Sequence, residues 1–139
     1  MTVPTESSAV FPPSVVSVQS RYDFLATVSR LKETLATRGV TLFADIDQSD
    51  AASRTGLSLR PTRLFLFGNP KAGTPIMAAN PHAAMELPLR AVVWEDDRQR
   101  VFVDYQDVTR SLVHYNVDSQ LFAPLQQMPA LLRAVAGQD

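Results

Sequence analysis

The residues best placed to do chemistry crowd into one run, Gly68-Asn69-Pro70-Lys71-Ala72-Gly73-Thr74. Gly68 and Gly73 would let backbone N–H groups converge on an anion, Lys71 would add positive charge, and Thr74 suits the start of a helix. The spacing departs from the G-x-x-x-x-G-K-[ST] of a P-loop, so that nucleotide site is not expected. A plainer alternative is that Gly68, Asn69 and Pro70 build a tight turn behind a buried strand. Downstream, Glu86 and Arg90 stand on either side of Pro88. If the glycine-containing run folds over the sheet they flank it, as an ion pair or with Glu86 anchoring loop amides.

Asp45, Asp47 and Asp50 invite a calcium reading, which the loop template rejects. Asp45, Asp47 and Ser49 take its first, third and fifth positions, but Asp50 stands where Gly is required and Gly56 where Glu is required. Helix capping by Asp47 and solvent exposure of Asp45 account for the cluster. His82 and His114 are the only histidines and Cys is absent, so no metal site is assigned and disulfides are excluded. Serines and threonines are plentiful, yet none stands in a G-x-S-x-G elbow or a Ser-x-x-Lys pair. No catalytic residues and no cofactor are assigned. The candidate ligand-binding set is Asp47, Gly68, Asn69, Pro70, Lys71, Gly73, Thr74 and Glu86.

With 139 residues, 45% hydrophobic and 19% charged, the chain suits one packed domain. Thirteen basic against fourteen acidic residues lack the footprint of a nucleic-acid or membrane-surface binder. No apolar run nears the roughly 20 residues of a membrane span. Residues 1–13 read as a flexible leader without secretory character, implying a cytoplasmic protein, and residues 14–139 as a single domain. Gly137, Gln138 and Asp139 read as a frayed tail.

The elements that must position these residues follow from periodicity. Val15, Val16 and Val18 suit a first strand. A helix starts at Ser20, with Asp23 in a weak capping box, a stripe of Phe24, Val28, Leu31 and Leu35, and Gly39 as its left-handed cap. Val40, Leu42, Ala44 and Ile46 alternate on one strand face. Asp47 or Ser49 caps a short helix that Gly56 ends, and Thr62–Phe67 forms a third strand, placed centrally by its apolar run. Asn69–Pro88 is a long connection with short helical turns at Thr74–Ala79 and His82–Leu87. Leu89–Glu95 and Arg100–Tyr105 form a hairpin around Asp96-Asp97-Arg98-Gln99, with Trp94 and Tyr105 packed together or at an interface. Asp107 caps a helix to about Tyr115, and Pro129 opens the last one. Strands in hairpin succession with grouped helices predict an α+β fold.

Several strings in this order resemble a known family: Asp45-Ile46-Asp47, Gly56-Leu57-Ser58-Leu59, Phe67-Gly68-Asn69-Pro70 with Gly73-Thr74-Pro75, Glu86-Leu87-Pro88-Leu89 and Val93-Trp94-Glu95-Asp96. The chain is similar, over roughly residues 14 to 136, to the family called domain of unknown function 302. The resemblance implies a β-α-β(4)-α arrangement like the TATA-binding-protein fold, a curved, mainly antiparallel sheet with helices on one face, and dimers. Two departures stand out: Gln48 where the family commonly carries His, and Glu86 where it commonly carries Asp. The first removes a titratable imidazole, and the second keeps the carboxylate.

The resemblance brings no activity with it, and fold alone carries no function. The expected role is a small-molecule or anion-binding module using the Gly68–Thr74 run. A homodimeric structural or protein-interaction domain and an unrecognised enzyme using Asp47, Asn69 or Glu86 remain as alternatives. A homodimer and a small-molecule ligand are the expected partners, with neither nucleic acid nor membrane.

Overall fold

The computed structural model describes residues 10–138, so most of the expected leader and Asp139 lie outside the described residues. Five strands form one sheet: β1 (Val15–Gln19), β2 (Thr41–Asp47), β3 (Thr62–Gly68), β4 (Leu89–Glu95) and β5 (Val101–Gln106), in the order β1-β5-β4-β3-β2. Every neighbouring pair is antiparallel. The helices are α1 (Phe24–Thr37), α2 (Gln48–Ser53), α3 (Pro70–Ala79), α4 (Val108–Leu112) and α5 (Met128–Val135), with 3-10 segments at Pro81–Glu86, Val113–Tyr115 and Ser119–Gln127. One helix after β1, then four strands, then the closing helices give the expected α+β order.

Alternation along the strands decides the core. Phe65 and Phe67 of β3, Leu89, Ala91 and Val93 of β4, and Val101, Val103 and Tyr105 of β5 turn to one face and are buried. The stripe of α1 (Val28, Leu31, Leu35) meets them there, joined by Leu131, Leu132 and Val135 of α5. Asp23, not Ser20, is the N-cap of α1, its carboxylate accepting the Ala26 N–H at 2.8 Å. Ser20 instead bonds Thr27 Oγ1 at 2.7 Å in the buried interior. Gly39 (φ 70°) and Gly56 (φ 79°) adopt the left-handed conformation expected of helix-ending glycines.

Three expectations change. A β-bulge between Leu42 and Ala44 breaks the predicted alternation of β2. Leu42 pairs with Phe67 on the core face, but Ala44 pairs with Leu66 on the open face and Asp45 turns inward opposite Phe65. Trp94 and Tyr105 lie on opposite faces of the hairpin: Tyr105 is core, whereas Trp94 stacks on Phe102 across the open face, with ring centroids 4.8 Å apart. The predicted frayed end is tied down as far as Gln138, whose side chain donates to the Gln19 carbonyl at 2.9 Å.

The hairpin turn shows how a sequence without glycine makes a tight reversal. Asp96 is 8% exposed, and its Oδ1 accepts the Arg98 and Arg100 N–H groups at 2.9 and 2.8 Å while its Oδ2 takes Arg100 Nε at 2.7 Å. Gln99 takes the positive φ (62°) that glycine would normally supply.

Candidate functional site

The Gly68–Thr74 run is not a loop. Gly68 ends β3, Asn69 is the N-cap of α3, and Pro70 occupies the first helical position. The Asn69 side chain accepts the Lys71 N–H at 2.9 Å, and its carbonyl accepts those of Ala72 and Gly73 at 2.8 and 3.0 Å. Proline has no N–H to offer. The first turn of α3 therefore has no free amide for an anion, and Thr74 lies within the helix instead of capping it. Neither Gly68 nor Gly73 has a positive φ. The expected cradle of first-turn amides is not formed, and the reason is local: Asn69 accepts the Lys71, Ala72 and Gly73 N–H groups, and Pro70 has none.

What the run builds is one wall of an open cavity of about 530 Å³. Gly68, Asn69, Pro70, Gly73 and Thr74 line it from the end of β3 and the start of α3. The rest of the lining includes Leu66, Met77, Leu87, Pro88, Leu89 and Leu125. Phe43 and Ala44 reach it because the bulge turns them there, and Leu87 and Pro88, joined by a cis peptide, also line it. No charged side chain lines the space, and its surface is overwhelmingly apolar.

The two glycines help keep the cavity open. A Cβ on Gly68 would stand 3.8 Å from Phe43 and Pro88, and one on Gly73 would stand 3.6 Å from Leu87 and 3.8 Å from Met77. Both would project among the lining side chains at ordinary contact distance. A glycine inside a helix costs about 0.5–1 kcal/mol relative to alanine, so Gly73 exchanges helix stability for space.

The remaining candidates lie elsewhere. Lys71 is exposed and does not line the cavity. Glu86 accepts the Tyr115 hydroxyl at 2.7 Å, and that carboxylate raises the pKa of the phenol. Asn80 donates to the Tyr115 carbonyl at 2.7 Å, so Glu86 and Asn80 together strap the Pro81–Glu86 segment to the segment after α4. Glu86 thus braces the back of the wall without touching the cavity. Asp47 sits at the opposite end of β2, paired with Arg63, whereas Gly68 pairs with Thr41. It caps α2, accepting the Asp50 N–H at 3.0 Å and the Ser49 hydroxyl at 2.8 Å, and these bonds hold its carboxyl below the ordinary range. Asp107 makes no capping bond and accepts the Thr109 hydroxyl. His82 and His114 are exposed.

Asp45, expected in solvent, is turned inward by the bulge. Arg63 grips it through two bonds of 3.0 and 2.6 Å, and Lys32 of α1 reaches it at 2.5 Å. Partial burial opposes ionisation there, but Arg63 and Lys32 outweigh it and lower the carboxyl pKa. Asp104, on the open face, is the contrary case. Its Oδ2 accepts the Trp94 indole N–H at 2.9 Å, while Oδ1 is buried with no hydrogen-bond partner among the described residues. Burial raises its pKa, and the nearby Ser17 hydroxyl and Trp94 N–H do not offset it. Sequence reading missed Asp104, Leu66 and Leu125, which declare themselves only through strand register and a distant 3-10 segment.

The chain is 32% identical over 100 residues to "Fluoride-specific ion channel FluC 1" of Brucella suis biovar 1, covering 72% of this chain and 39% of that protein. The match to "Fluoride-specific ion channel FluC 2" of Brucella melitensis is also 32% over 100 residues, covering 37% of the relative. The aligned part thus spans about two fifths of the curated relatives it matches. None of the described helices is long and apolar enough to cross a membrane. The crystal structure of an uncharacterised conserved DUF302 protein from Bacillus stearothermophilus superposes with a TM-score of 0.75 at 18% identity, covering 91% of this chain and 98% of that one. That likeness establishes a shared fold. The profile of the family described as Domain of unknown function DUF302 aligns with residues 16–135, nearly the whole five-stranded unit, and the chain belongs to that family.

Proposed function

We propose that this domain is a small-molecule-binding module whose ligand is held mainly by apolar contact in the cavity beside α3. The observation that carries this reading is the cavity itself: about 530 Å³, within the usual size range of ligand sites. Gly68 and Gly73 leave the space that side chains would fill. Affinity comes from removing apolar ligand and wall surface from water, at roughly 25 cal/mol per Å² before the costs of association. The anion-cradle form of the idea is set aside, because the first-turn amides of α3 are already bonded. Fluoride, named for the Brucella relatives, suits this cavity poorly for the same reason and because no charged side chain lines it.

The test uses a neutral fluorophore, 1-aminoanthracene, titrated into the full chain. Its emission should rise on binding and fail to rise with Gly73→Leu, which places a large side chain in the cavity on a good helix former. No enhancement with the natural chain, or equal enhancement with Gly73→Leu, would overturn the reading.

A second reading, a homodimer, has its own observation. The sheet face away from the core carries Leu64, Leu66, Val92, Trp94 and Phe102, with Phe43 54% and Ile46 40% exposed beside them. Apposing this face with a second copy would bury an apolar surface that water now meets. Sedimentation equilibrium tests it: Ile46→Lys should shift the natural chain from dimer to monomer, and a natural chain that is monomeric at high concentration refutes it.

A further inference from the structure

We infer that the ligand of the apolar cavity is an amphipathic carboxylate, with its apolar body beside α3 and its acid group on Arg90. This rests on the cavity reading above and adds the chemistry of one end of the ligand. Arg90 of β4 pairs across the sheet with Leu66 of β3, and Leu66 lines the cavity. Residues directly opposite on antiparallel strands share a face, with Cβ atoms about 4.5–5.5 Å apart, so the Arg90 side chain rises at the cavity rim. It also lines a smaller recess of about 190 Å³ that shares Leu89 and Leu125 with the cavity. The cavity and the recess adjoin along Leu89 and Leu125, with Arg90 on the recess side.

The guanidinium is available. Arg90 is exposed, and among the described residues it has neither an ion-pair nor a hydrogen-bond partner. The acid in the same recess, Asp107, is already held by the Thr109 hydroxyl and by Arg110 at 3.4 Å. Arg90 thus presents a planar fork that matches a carboxylate with two parallel N–H···O bonds. By contrast, Arg63 and Arg100 have carboxylates of their own, Asp45 and Asp96. The only neutral polar side chains lining the cavity are Asn69 and Thr74, and the Asn69 oxygen caps α3, so discrimination between ligand heads falls to the rim.

Decanoate and 1-decanol, which share a chain and differ in the head, test this by displacing 1-aminoanthracene from the full chain. Decanoate should displace it at about tenfold lower concentration, as one charge-assisted pair predicts. Arg90→Gln should abolish that preference without changing 1-decanol, and Arg90→Lys should keep part of it. Melting curves will check that both variants fold, as expected for an exposed strand position. Equal displacement by the two compounds, or a preference surviving in Arg90→Gln, overturns the carboxylate inference. The cavity reading then still stands on the fluorophore and its loss in Gly73→Leu. Failure of both compounds while the fluorophore binds also overturns the inference, and failure of the fluorophore itself overturns both.

Discussion

The two ends of the sheet treat polar groups in opposite ways. At the end where β2 meets Arg63 and β4 turns into β5, three aspartates have their partners. Asp45 holds Lys32 and Arg63, Asp47 caps α2, and Asp96 gathers two amides and a guanidinium. At the other end, where β3 leaves the sheet and β4 enters, the wall is apolar and the nearby Arg90 is unpaired among the described residues. A fully satisfied carboxylate is explained by the fold it supports. The apolar cavity and the unpaired Arg90 near it have no such structural account, and the proposed ligand site is set there for that reason. The acidic cluster that first suggests a metal is thus architecture, and the run that first suggests an anion cradle is a cavity wall.

The largest expected effect breaks the satisfied end. Asp96→Ala removes the acceptor of two backbone N–H groups and the partner of Arg100 at a site 8% exposed. It should destabilise the chain by about 2–4 kcal/mol in urea unfolding, since stranded buried donors cost roughly 1–3 kcal/mol each. A loss below about 1 kcal/mol would show that Asp96 does not organise the turn.

Asp45→Asn is next, at about 1–2 kcal/mol, because Arg63 and Lys32 keep partial access to water (side chains 22% and 41% exposed). The pH dependence follows from the direction of the shifts. Asp45, Asp47 and Asp96 all have folded pKa values below the ordinary 3.8. Their stabilisation is therefore complete above that value and is lost as pH falls through the folded values. Acid unfolding of Asp45→Asn should accordingly be shallower below pH 4 than that of the natural chain.

These two sites also mark what the sequence discloses. The stripe of α1, the cap at Gly39 and the hairpin of β4 and β5 are legible because each depends on a few adjacent residues. The inward turn of Asp45 is not, because a bulge between Leu42 and Ala44 carries no glycine or proline to announce it. At Asn69 the signal is present but competes with another: glycine and proline on either side read as a turn, while Asn before Pro is also a helix start. The cavity has no local signature, since its walls come from β2, β3, α3, β4 and the Ser119–Gln127 segment, which lie far apart in the sequence. Composition, motif and resemblance single out a stretch that lines a cavity, and only tertiary packing reveals that cavity's polarity.

Asp104 tests the boundary between the two behaviours, since one of its oxygens is bonded and the other is buried and unpartnered among the described residues. Its folded pKa is raised by burial, so the ionised form costs stability above that pKa and the cost disappears as pH falls through it. Asp104→Asn can keep an acceptor for Trp94 without the charge, and should gain on the order of 1 kcal/mol near neutral pH. That gain should shrink on acidification, the reverse of the behaviour of Asp45. A variant less stable than the natural chain at neutral pH would mean that the Asp104 carboxylate is satisfied in solution, with the Ser17 hydroxyl or water turned to its second oxygen.

The smallest effect probes the cavity end by filling one corner of it. Gly73 lies within α3 at ordinary helical φ, and a Cβ there would stand 3.6 Å from Leu87 Cδ1 without a clash. Gly73→Ala should therefore raise unfolding stability by about 0.5–1 kcal/mol, the usual helix preference for alanine. The same methyl takes volume from the cavity and should weaken 1-aminoanthracene binding. Stability and binding moving in opposite directions is the signature of a glycine that holds space open. A variant that gains stability and binds the fluorophore unchanged would show that the bound molecule does not touch this wall. A variant that loses stability would show that the helix start is under a constraint other than space.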